Sequence, residues 1–194
     1  MVNITRAADL TVIGANGAGW VGDTGTSAPA SPLTQPLAPW EPLGAISDDG
    51  LTYGIDEDSQ EFTPWGLTSP FRTQITKSVR TFKMTLWETA RVAVQSIMYR
   101  IPAAELEPVS GLTTFAETAS PVPDRRAWWF LVMDGDTAKG FYVPQGEVSD
   151  RSDVTFKQDE MSGYEITVTA YPDASGNTVY HSDKVPATPD YTGS

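Results

Sequence analysis

Phe71-Arg-Thr-Gln-Ile-Thr-Lys-Ser-Val-Arg-Thr-Phe-Lys-Met-Thr-Leu-Trp87 is the longest strand-like stretch of the chain. Phe71, Thr73, Ile75 and Val79 share one parity, while Phe82, Met84 and Leu86 share the other. Side chains on a strand alternate between faces, so a change of parity predicts a bulge or a crossing between sheets, here near Val79 to Thr81. Long bent strands of this kind turn the corners of orthogonal sandwiches and barrels. The expected fold is therefore mainly β: an antiparallel sandwich or barrel-like domain.

Toward the C-terminus, Ala90, Ala93, Val94, Ile97 and Met98 recur at helical spacing, which predicts one helix over about 88–99, stopped by Pro102. A long connection with Pro108, Pro121 and Pro123 follows. Ala127-Trp-Trp-Phe-Leu-Val-Met is a continuous apolar run, too short for a membrane and typical of a buried strand. The turn Asp134-Gly-Asp-Thr-Ala-Lys returns it through Gly140-Phe-Tyr-Val-Pro. Val154-Thr-Phe-Lys, Tyr164-Glu-Ile-Thr-Val-Thr-Ala-Tyr and Thr178-Val-Tyr-His read as further strands, the last two joined by Asp173-Ala-Ser-Gly-Asn.

Toward the N-terminus, Asp49-Gly50 between Leu43-Gly-Ala-Ile and Leu51-Thr-Tyr has the chemistry of a hairpin turn. Asp56, Glu57 and Asp58 are expected in a second connection before Glu61-Phe-Thr-Pro-Trp. Leu10 to Ile13 reads as a short strand, and the glycines after it as a turn. Residues 24–42 carry Pro29, Pro32, Pro36, Pro39 and Pro42, too many for a helix or a sheet interior, so they predict an extended arm. Such an arm has little to pack on within one chain, so Leu33, Leu37 and Trp40 are expected to lie across a neighbouring copy. The organisation expected is an arm over 1–42, a β domain over 43–184 and a tail over 185–194.

The 194 residues carry 13 Lys and Arg against 25 Asp and Glu, a net charge of −12. Nucleic-acid binding needs clustered cations to replace condensed counterions, and the longest basic cluster is Arg125-Arg126. There is no cysteine, which removes disulfides, thiolate metal sites and cysteine nucleophiles together. Asp9 interrupts what a signal peptide would keep apolar, and no segment has the roughly 18 apolar residues of a membrane span. A soluble protein made in the cytoplasm, with no membrane partner, is expected.

Few residues have the setting that chemistry needs. Gly14-Ala-Asn-Gly17-Ala-Gly19 has the wrong spacing for a dinucleotide loop, and a proline arm follows it where a helix should present its N-terminus. His181 is the single histidine; Ser182 and Asp183 beside it would alternate across a strand and not converge. The acidic pairs near 48–49, 56–58 and 134–136 lack the alternating ligands of a calcium loop. No catalytic residue, cofactor or metal site is expected. Six tryptophans raise the alternative of a sugar-stacking module, but Trp128-Trp129 within an apolar run and Trp40 between prolines fit core and contact roles better.

Trp40-Glu-Pro-Leu-Gly-Ala-Ile-Ser-Asp-Asp-Gly-Leu-Thr-Tyr-Gly, Glu61-Phe-Thr-Pro-Trp-Gly, Pro70-Phe-Arg-Thr and Arg80-Thr-Phe-Lys-Met-Thr-Leu-Trp-Glu-Thr together resemble the major tail proteins of long-tailed, non-contractile phages that infect actinobacteria. The resemblance covers about a quarter of the chain closely, and the strand-rich remainder agrees with it in order. It implies a tail-tube fold, a β-sandwich with a flanking helix, whose hexameric rings stack into a tube. DNA passes through the lumen without specific binding. Its partners would be further copies of itself and the tape measure, tail tip and tail terminator proteins; its place would be the virion, after assembly in the host cytoplasm. On this footing Thr73, Gln74, Thr76, Lys77, Ser78 and Arg80 are candidates to face the channel, although Lys77 and Arg80 would grip a polyanion. Leu33, Leu37, Trp40, Leu43, Ile46, Leu51, Tyr53 and Trp65 are candidates for contacts between subunits. A tail terminator, a decoration protein and a carbohydrate-binding module are the alternative functions.

Overall fold

The switch of parity in the 71–87 stretch is resolved by a bulge, at Thr76 and not at 79–81. Across it Asp58 stands opposite Lys77, but Ser59 stands opposite Ile75. One residue inserted there returns Ile75 to the face that carries Phe82, Met84 and Leu86.

The computed structural model describes residues 5–7, 10–159, 161–185 and 192–193. In chain order the strands are β1 (Thr5–Arg6), β2 (Asn16–Asp23), β3 (Glu41–Pro42), β4 (Thr52–Phe62), β5 (Arg72–Leu86), β6 (Arg125–Asp134), β7 (Thr137–Arg151), β8 (Tyr164–Tyr171), β9 (Tyr180–Lys184) and β10 (Thr192–Gly193), with one α-helix, α1 (Val92–Tyr99), between β5 and β6. Strands β1 and β10 pair and bring the two ends of the chain together. The others form one antiparallel sheet in the order β3-β2-β6-β7-β8-β5-β4, with β9 also on β7. Strand β7 has two neighbours on one edge: β9 along 138–142 and β8 along 145–151. The connection at 173–177 therefore carries the chain along β7 instead of pairing β8 with β9.

The sheet folds back on itself, so that Phe82 of β5 stacks on Phe130 of β6 with centroids 4.7 Å apart. Phe141, Val143, Val148, Ile166 and Val168 fill the space between the layers, and α1 covers it with Ala93, Val94 and Ile97. The sheet does not close into a barrel. Residues 43–47 span the gap: Leu43 N–H donates to Gly19 O at 2.8 Å, and Ser47 N–H to Thr85 O at 2.9 Å. A Cβ on Gly19 would lie 2.9 Å from Leu43 Cδ1, so glycine is what lets this segment approach. On the opposite face of β2, β6 and β7, Trp20, Trp40, Trp129, Leu131 and Ala138 form a second core. With a core on each side, β6 is buried over five successive residues, which explains its unbroken apolar run.

Several sequence expectations are corrected. The glycines at 17, 19 and 22 lie inside β2 and not in a turn after a strand at 10–13. Asp49-Gly50 makes a turn, with Gly50 at φ 70°, but its flanks do not pair with each other. Both instead pair with β5, Ile46 opposite Leu86 and Thr52 opposite Lys83. Asp56, Glu57 and Asp58 lie in the middle of β4, where cations and a hydroxyl on β5 stand ready to meet them. The helix starts at Val92, because the Glu88 carboxylate accepts from Ala45 N–H and Arg91 instead of beginning a helical turn. Residues 154–157 join no strand. The tail expected over 185–194 lies outside the described residues except for Val185 and β10.

Candidate functional site

The groups that sequence offered for chemistry are occupied structurally. His181 packs its ring against Phe141 and Tyr53, with centroids 5.2 and 5.9 Å away. Asp183 is ion-paired with Lys139 at 2.9 Å, and not with the histidine beside it in sequence. Among the described residues no three His, Asp or Glu side chains converge as a metal would need. Trp20, Trp40, Trp128 and Trp129 are buried and Trp87 is half-buried, which leaves Trp65 as the fully exposed tryptophan.

The distinctive surface is the ribbon of β4 and β5. From Ile55 to Phe62 and from Arg72 to Ser78 every residue is exposed, so the hairpin stands out from the body with both faces in solvent. Residues opposite one another share a face. One face carries Asp56, Asp58, Gln60 and Phe62 beside Val79, Lys77, Gln74 and Arg72. It continues onto the body through Thr81, Lys83 and Thr85, opposite Thr169, Thr167 and Glu165 of β8. This outer face is a polar, threonine-rich sheet. The other face carries Ile55, Glu57, Ser59 and Glu61 beside Arg80, Ser78, Ile75 and Thr73, and it leads into the main core through Tyr53 and Phe82.

Cations on both faces are met by carboxylates across the strands. Lys77 Nζ lies 2.7 Å from Asp56 and 3.7 Å from Asp58. The Asp56 hydrogen bond, with the charge behind it, raises Lys77 above the ordinary lysine value. Arg80 lies 3.0 Å from Glu57. The Ser78 hydroxyl first, and the Arg80 guanidinium second, hold Glu57 below the usual carboxylate range. On the body Lys83 pairs with Glu165 at 3.1 Å, and Ser152 and then Lys83 lower that carboxylate.

The six residues expected to face a channel are thus divided. Gln74 and Lys77 lie on the outer face, Thr73, Ser78 and Arg80 on the other, and Thr76 is the bulged residue. A single surface cannot present all six. Of the residues expected at subunit contacts, Leu33, Leu37 and Trp65 are exposed. Trp40 and Leu43 are buried in the chain's own two cores, and Ile46, Leu51 and Tyr53 are half-buried against the main one. The arm does find a partner within its chain: Trp40 meets Tyr142 edge-on at 6.2 Å and donates its indole N–H to Ser27 O at 3.1 Å.

Sequence reading passed over the other exposed members of the ribbon tip. Phe62, Leu67 and Phe71 stand in solvent beside Trp65. Their signal was present: large apolar residues around Pro64 and Pro70 sit in a connection that a soluble monomer would keep polar. A model of the phage tail tube protein family matches residues 5–189. No curated protein matches the chain.

Proposed function

The chain belongs to the phage tail tube protein family, and on that premise we propose that it closes into hexameric rings whose stacking builds the conduit for DNA ejection. As a member of that family it is a structural component of the phage tail that assembles with copies of itself.

The observation that carries this reading is the outer face of β4, β5 and β8, the surface suited to the lumen. Fixed, unpaired cations would replace counterions on DNA and hold it. Here Lys77 and Lys83 are each neutralised by carboxylates in the same sheet, and Thr81, Thr167 and Thr169 stand beside Lys83. On a subunit of net charge −12 such a surface lets a polyanion slide. Gln74 and Lys77 stay as channel candidates, joined by Thr81, Lys83, Thr167 and Thr169. Strand β4 ends the sheet order and offers an unpaired backbone edge, which a neighbour's strand could extend around a ring. The tape measure, tail tip and terminator proteins are the other partners this reading calls for, with assembly in the host cytoplasm and residence in the virion.

Negative-stain electron microscopy of concentrated purified protein tests it. Tubes of uniform bore and width are expected. Closed rings that never stack would point to a tail terminator instead, and a strictly monomeric protein would end the proposal.

A further inference from the structure

The tip of the ribbon and a hollow in the proline arm belong to different segments of the chain and have complementary chemistry. The tip presents Phe62, Trp65, Leu67 and Phe71 to solvent, with Trp65 fully exposed. Aromatic side chains each bury about 150–250 Å² when they find a site, so leaving several in water on one loop is unfavourable for a lone molecule. The hollow, about 520 Å³, has a buried base of Pro36 and Trp40, a half-buried Pro29 and exposed walls of Ala28, Leu37 and Pro39. That volume lies in the range of preformed binding sites for groups of indole size and larger. The hollow is held in shape from within, since Trp40 is fixed by Ser27 and Tyr142.

Charge matches in the same sense. Arg72 adjoins the tip and, among the described residues, has no ion-pair partner, unlike Lys77 and Arg80 on the same strand. Asp23 and Glu41 line the surface beside Pro39, and the cation that shares it, Arg126 opposite Asp23, is ion-paired with Asp124 instead. The tip lies nine residues beyond Tyr53, roughly 30 Å along the strand. Meanwhile the arm covers the face of β2, β6 and β7 turned away from the main core.

We infer that the ribbon tip of one copy seats Trp65 in the proline-lined hollow of a second copy, with Arg72 set against Asp23 and Glu41. The contact uses different surfaces on the two partners, so each copy keeps a free tip and a free hollow, and association propagates head to tail. This rests on the tube reading and adds to it the residues that join one subunit to the next.

The absence of cysteine from the chain allows a direct test. Leu67→Cys on the tip and Ala38→Cys on the hollow's rim are combined in one chain and oxidised after assembly. A ladder of covalent multimers beyond the dimer is expected, with neither single variant cross-linking. Tubes that give no ladder, cross-linking by Leu67→Cys alone, or a double variant that closes on itself as a monomer would each overturn the inference while leaving the tube reading intact. Should the cysteine variants fail to assemble, Trp65→Ala decides. Its melting temperature should match wild type while the critical concentration for tubes rises roughly 30-fold, as loss of a central aromatic anchor does. An unchanged critical concentration overturns the contact. Wild-type protein that forms no tubes sinks the assembly reading itself, and the contact with it.

Discussion

Tyr164 shows how single residues set the conditions under which this fold survives. It is buried, and its hydroxyl lies 2.9 Å from that of Tyr99 in a hydrogen bond that closes the end of α1 onto β8. Burial first, and the Tyr99 hydrogen bond second, push its pKa well above the ordinary tyrosine value. A group whose folded pKa is raised holds its stabilisation below the unfolded value, about 10, and loses it as pH climbs from there. Tyr142 is raised in the same sense, chiefly by burial. Tyr164→Phe should therefore melt slightly lower at pH 7, by the roughly 0.5–1.5 kcal/mol of one hydrogen bond, yet lose less stability between about pH 10 and 11.5. Thermal melts across that range test it, and parallel alkaline limbs for the two proteins would refute it. At this scale sequence discriminated poorly. Trp40 and Trp65 both adjoin or closely follow prolines, yet one is buried against Tyr142 and the other is bare. What separates them is a contact about a hundred residues away along the chain, which no local pattern encodes.

At the scale of elements, the ribbon differs from the rest of the sheet. Beyond Gly54 it is a two-stranded ladder with no apolar layer on either side, held by its own hydrogen bonds and by exposed ion pairs that salt screens. Isolated hairpins are marginal in water. Backbone amides at 55–62 and 72–79 should therefore exchange with solvent much faster in the monomer than those of β6, and become protected in tubes. Hydrogen exchange followed by mass spectrometry measures both states, and a ribbon already protected in the monomer would contradict this account. The strand in Phe71 to Trp87 was legible because alternation with period two is a local property, and the change of parity announced a bulge. Its position was not. Polar residues on a ribbon solvated on both sides carry no in-or-out signal, so nothing in the sequence distinguished Thr76 from Val79. The same absence of burial concealed Asp56, Glu57 and Asp58 as a strand, since acids in that number ordinarily mark a turn.

For the whole molecule, charge opposes the assembly that its shape invites. Subunits of net charge −12 repel over a Debye length of about 30 Å in 10 mM salt and about 8 Å at 150 mM. The lag before tube growth, followed by light scattering, should shorten as salt rises through that range, because long-range repulsion outweighs the few local pairs set against it. A lag that lengthens with salt would mean that attraction between opposite charges dominates the encounter.

The sequence alone settled the β class, the single helix, the buried strand at 127–133 and the likeness to tail tube proteins. All of these rest on periodicity, composition or short runs of neighbouring residues. Tertiary structure decided which tryptophans enter a core, how the two flanks of Asp49-Gly50 share β5, where the arm lies and which face of the ribbon runs into the core. Those outcomes follow from contacts between segments far apart in the chain, where burial on one side of a strand is conferred by a partner the strand's own residues do not specify.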